Sequence, residues 1–188
     1  IETGSVEILY DSCEGYPLKG PNDIVFDDHG GFYFTDFGQG RDREVDRGGI
    51  YYAQADGSGI KSLIYPVDHP NGCGLSPDGK TLYVAQTLFR TLTAMDLAGP
   101  GRLAEGLSES VFFTGRPVVS LPPGTGVDSL AVLADGRVAV GTIIGLSGIA
   151  VIDPSSDTYV HHPFPDYATT NICFGGADMC DAWVTLST

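Results

Sequence analysis

The chain of 188 residues carries a formal net charge of -14, with 42% hydrophobic residues, Gly 26, Pro 12 and Cys 4. That length suits one domain with a sizeable core, and that mix of apolar and turn-forming residues suits short strands rather than disorder. The negative balance argues against nucleic acid or an anionic membrane surface as partner, because both need clustered Lys and Arg, and no apolar run approaches the roughly 20 residues of a membrane helix.

In chain order, no basic-then-apolar leader precedes the first pattern, so a cytoplasmic location is expected. The first residue is Ile rather than Met, which points to processing or truncation upstream. The first unit, "PNDIVFDDHGGFYFTD" from Pro21, reads as two strands around a turn. "GQGRDREVDRGG" is a solvated loop between two strands of one sheet, and "GGIYYAQ" and "KSLIYP" complete that sheet. The second unit, "PNGCGLSPDGKTLYVAQ" from Pro70, is followed by the strand "TLTAMDL". The glycines of "LAGPGRLAEGLSES" predict a loop, and "ESVFFTG" an outer strand. The third unit, "VDSLAVLADGRVAVGT" from Val127, continues into "GIAVIDP" and "TYVHHPF". The fourth, "TNICFGGADMCDAWVTLS" from Thr170, ends the chain.

Each unit has a polar opener, a short apolar run, a turn and a second run rich in aromatic and β-branched residues. The openers Asn22, Asn71, Asp128 and Asn171 are separated by about 49, 57 and 43 residues. A period of roughly 40 to 50 residues with four strands per repeat marks propeller blades, so an all-β fold is predicted. Asn and Asp also open strands simply by bonding nearby backbone, and Asp23 is read as such a cap. The cysteines Cys13, Cys73, Cys173 and Cys180 lack CxxC spacing, which disfavours zinc. Cys73 and Cys173 lie in apolar runs and are expected inside, as reduced thiols. There is no GxSxG elbow or phosphate loop, and His161 and His162 need no functional account.

The four units together resemble the senescence-marker-protein-30, gluconolactonase and luciferin-regenerating-enzyme family, in the family's order and over nearly the whole chain. The resemblance implies a six-bladed β-propeller, of which residues 1–188 supply roughly four blades as one partial domain. The N-terminal blades and C-terminal closing strands then lie outside this sequence. It also implies one divalent metal held by Glu, Asn, Asn and Asp. The Asn of the family's "PND" falls on Asn22, that of "PNG" on Asn71, and the Asp on Asp128. The Glu belongs to a blade that this sequence lacks, and Glu2 and Glu7 stand in the wrong context to replace it. Asn171 is expected to line the channel, and His69 to face the substrate. Ser129, where the family usually has Gly, is expected to crowd the approach to Asp128.

The implied activity is metal-dependent opening of a lactone, with Asp128 as base, or as nucleophile in a variant of the mechanism. Ca2+ is the first choice of ion on the hard oxygen donors, with Zn2+, Mn2+, Mg2+ or Fe2+ as alternatives. The substrate is a small lactone, with no nucleic acid or membrane partner. The competing readings are a propeller that binds Ca2+ or a ligand without turnover, and a phosphotriesterase-like hydrolase. As a partial propeller, the chain alone is expected to aggregate or to bind metal poorly.

Overall fold

Near-continuous burial along the middle strands organises the computed structural model, which describes residues 4–105, 109–110 and 113–188. The first antiparallel sheet runs β1 (Pro21–Phe26), β2 (Gly31–Asp36), β3 (Gly48–Gln54) and β4 (Ile60–Val67). In the second, β5 (Pro70–Leu75), β6 (Thr81–Gln86) and β7 (Thr91–Gly99) are followed by β8 (Arg116–Ser120), which pairs with β7. The third contains β9 (Gly126–Val132), β10 (Val138–Ile143), β11 (Gly148–Asp153) and β12 (Thr158–Pro163). The fourth has two strands, β13 (Thr169–Gly175) and β14 (Asp181–Leu186). No helix occurs among the described residues.

Successive side chains of a strand point to opposite faces, and in the middle of the stack both faces are covered. Leu82 and Val84 of β6 pack with Tyr33, Ile50 and Tyr52 of the first sheet. Between them, Tyr83 and Ala85 turn to Val127, Val138 and Val140 of the third. Likewise Ala139 of β10 packs with Ile172 of the fourth sheet. The sheets therefore stack face to face in chain order, as propeller blades do. Each fully buried Val or Leu contributes about 1.5–3 kcal/mol, so these interfaces hold the stack.

One irregularity repeats. Pro21 pairs with Asp36 and Ile24 with Phe34, so Asn22 and Asp23 both oppose Thr35. Asn71 and Gly72 share Ala85 in the same way, because Pro70 pairs with Gln86 and Cys73 with Val84. Asp128 and Ser129 share Gly141, since Val127 pairs with Thr142 and Leu130 with Val140. In the fourth sheet Thr170 is the extra residue, beside Asn171 opposite Thr185. Such bulges re-aim side chains at the start of a strand.

Three sequence expectations need correction. The outer strand of the second sheet is β8, "RPVVS", whereas among the described residues Glu109–Ser110 and Phe113–Thr114 pair with each other in a sheet of their own. Pro117 obscured β8 because it removes a backbone donor, yet here it sits on the outermost strand where the register shifts. The start of the stretch read as a loop, from Leu97, continues β7 to Gly99, and Arg102–Leu103 folds back on it. The turn uses Gly101 at φ 58; residues 106–108 of that stretch lie outside the described residues. Finally, Cys73 is buried as expected but Cys173 is exposed, because its side of β13 has no sheet against it among the described residues. All four cysteines are free thiols.

Candidate metal centre

The bulges put Asn22, Asn71 and Asp128 at equivalent positions, at the same end of β1, β5 and β9. Asn71 is 5% exposed, and its Nδ2 donates to Thr87 Oγ1 at 3.2 Å. Its Oδ1 is buried with no hydrogen-bond partner. An unsatisfied buried amide oxygen costs about 1–3 kcal/mol, so one in a native fold needs an explanation. Asp128 is half-buried and accepts the Ser129 N–H at 3.0 Å. Desolvation pushes its carboxyl pKa above the usual value and the charge of Asp23 adds to this, while the Asn71 amide and the Ser129 N–H pull it back.

Asn22 is exposed and lines a cleft of about 420 Å3 with Asp23, Glu7, Ile24 and Phe34. Asn71 and Asp128 are thus brought together, and Asn22 stands at the neighbouring bulge beside the cleft. His69 is half-buried at φ 44, with its ring edge-on to Phe37 at 4.9 Å and its Nδ1 buried without a partner. Asn171 is exposed and its Oδ1 accepts Ile172 N–H at 2.7 Å. Counting register, Thr170 rather than Asn171 occupies the place of Asn22, Asn71 and Asp128. Asn171 corresponds instead to Asp23, whose Oδ1 accepts Ile24 N–H at 2.9 Å.

Sequence reasoning undervalued Asp23 and Ser129. Besides capping Ile24, the Asp23 carboxylate accepts Cys73 N–H at 3.2 Å, and the Ser129 side chain and Leu130 N–H present donors to it from β9. Burial still raises its pKa above the usual carboxylate value. Ser129 is buried at 8% exposure and faces Asp23, so it does not crowd the approach to Asp128 as expected. The missed signal was Ser129 itself, a hydroxyl available to a buried acid.

The donors suit a hard cation: an orphaned amide oxygen beside a carboxylate, with a further amide at the next bulge. Thiolate is not on offer, because burial pushes the Cys73 thiol well above its ordinary pKa. Among the described residues, no three His, Cys, Asp or Glu side chains cluster closely enough to hold an ion, so an ion here would depend on the amides. A separate cavity of about 550 Å3 lies between the turns at Asp27–His29 and Ser76–Lys80, at the opposite end of the inner strands.

Residues 1–188 match the family model described as SMP-30/Gluconolactonase/LRE-like region. A lactonase drp35 from Staphylococcus aureus is 32% identical over 143 residues, 72% of this chain and 43% of its own length. The lactonase drp35 of Staphylococcus saprophyticus is 39% identical over 97 residues, 50% of this chain and 29% of its own length. A gluconolactonase structure from Xanthomonas campestris superposes with a TM-score of 0.75 at 28% identity, covering 97% of this chain and 59% of that one. The chain thus spans less than half the length of these two lactonases.

Proposed function

Because the chain belongs to the SMP-30/gluconolactonase/LRE-like family, we propose that the complete protein is a divalent-metal-dependent lactonase built as a six-bladed propeller, of which this chain supplies about four blades. The observation that supports the reading is the buried, unpartnered Oδ1 of Asn71, on an amide that also meets the Asp128 carboxylate. Asn22, Asn71 and Asp128 would hold the ion, Ca2+ by preference. A bound divalent ion would polarise the lactone carbonyl and stabilise negative charge on its oxygen.

The rest falls to the chain's own groups. Asp128 takes the proton from the attacking water. His69 and Asn171 are candidate contacts for the substrate, a small lactone. The four free thiols suit a reducing, cytoplasmic setting. The test is hydrolysis of a panel of sugar and aliphatic lactones by the full-length protein, before and after chelation. Turnover that disappears on chelation and returns with Ca2+ supports the reading. Ca2+ binding without turnover of any lactone supports a binding propeller instead, and turnover indifferent to chelation rejects the metal.

A further inference from the structure

Asp23 sits on the first inner strand, yet the groups that face its carboxylate come from three. Oδ1 accepts the Ile24 N–H of its own strand at 2.9 Å. Oδ2 accepts the Cys73 N–H of β5 at 3.2 Å. From β9 come the Ser129 side chain and the Leu130 N–H. A carboxylate has about four lone-pair sites; two here accept backbone N–H groups and two further donors face it from β9, which disfavours an ion as an added partner. Asp23 is therefore poorly suited to be a metal ligand, although it lies next to Asn22.

The bulge that carries Asn71 is held from both sides by the first sheet. Asp23 N–H donates to Thr35 Oγ1 at 3.2 Å, and that hydroxyl donates to the Asn71 carbonyl at 2.6 Å. Two residues further on, Cys73 N–H reaches the Asp23 carboxylate. Glycine at position 72 permits the close approach of β9. A Cβ there would lie 2.7 Å from the Asp128 carbonyl oxygen and 2.7 Å from the Leu130 nitrogen. Thr35 is fully buried and Ser129 is 8% exposed, and the Thr35–Asn71 bond is shielded from water.

We propose that Asp23, with Ser129 as its partner, is a positioning clip that locks three inner strands together and thereby sets the spacing of Asn71 and Asp128. The inference rests on the metal-site reading above and adds a residue to it that acts without touching the ion. It also gives Ser129 a purpose that glycine could not serve, since the hydroxyl faces Asp23 as a side-chain donor that glycine lacks. Groups that orient metal ligands typically cost 10–100-fold in metal affinity when removed.

The experiment is calorimetric titration of Ca2+ alone into the full-length protein and its Asp23→Asn, Ser129→Ala and doubly substituted forms, with melting recorded for each. In Asp23→Asn, a donor replaces part of the acceptor set, and Ca2+ affinity should fall about 10–100-fold. Ser129→Ala removes one donor and should weaken Ca2+ by about threefold or more, converting to a typical hydrogen-bond contribution. In the Asp23→Asn background it should add nothing, which a merely destabilising change would not show. If Asp23→Asn does not fold, Ser129→Ala decides: unchanged Ca2+ affinity overturns the clip. Folded Asp23→Asn with affinity within threefold of wild type overturns it as well. A wild type that binds Ca2+ but opens no lactone sinks only the lactonase assignment, whereas one that binds no Ca2+ overturns both the metal centre and the clip.

Discussion

Asp128 combines two roles, ion ligand and base, in one side chain. Asp128→Asn keeps the shape and an oxygen but removes the charge and the proton acceptor. Turnover of the full-length enzyme should fall by about 10²–10⁴-fold, the usual loss for a general base, while its melting temperature without Ca2+ changes little. Activity within about threefold of wild type would assign the chemistry elsewhere. The pH dependence follows from the same carboxylates. Asp23 and Asp128 both have pKa values raised from 3.8 by burial. The native state then binds their protons more tightly than the unfolded chain. Their effect on stability is most favourable below about 3.8 and is lost as pH rises through the folded values. Ca2+ needs the ionised carboxylate and reverses that trend. Thermal scans should therefore show a Ca2+-induced rise in melting temperature that is small near pH 4 and large near pH 7. An equal rise at both would show that neither carboxylate is linked to the ion.

At the scale of the strand, Gly72 marks the closest approach of β5 and β9. Gly72→Ala would drive a methyl group against backbone atoms at 2.7 Å, which cannot swing aside as a side chain can. Overpacking of this kind costs about 1–3 kcal/mol, and the parted strands should also weaken Ca2+ binding. Denaturant unfolding and calorimetry would check both losses, and a stable variant with wild-type affinity would contradict the account. The repeat made Asn22, Asn71 and Asp128 legible in sequence, because the same opener precedes the same apolar run. Thr170 was hidden by Asn171, whose side chain resembles the other openers although its register matches Asp23. Asp23 read as a local cap, and it is one toward Ile24, but its partners Cys73 and Ser129 are distant in sequence. Such cross-strand partnerships leave no local pattern. The strand β8 was missed for the opposite reason, since a local signal, Pro117, pointed away from it.

At the scale of the molecule, the stack of sheets is open. Ile24 and Phe26 are 48% and 61% exposed on the first inner strand, and Trp183 is 54% exposed on the last strand. The two-stranded fourth sheet also leaves β14 with an unpaired edge among the described residues. Apolar faces and strand edges of this kind invite association. The 188 residues purified alone should sediment as aggregates or show little Ca2+-dependent melting. A soluble monomer with cooperative, Ca2+-raised melting would show that these sheets are self-sufficient. The central claim concerns the ion itself and is tested most directly by anomalous diffraction from crystals of the full-length protein grown with Ca2+. The account predicts a peak at roughly 2.0–2.6 Å from oxygens of Asn22, Asn71 and Asp128, the range of first-shell oxygen to such ions, with the Asp23 carboxylate outside that shell. A peak elsewhere, or those three side chains more than about 10 Å apart on a scale set by the same coordination distances, would contradict it.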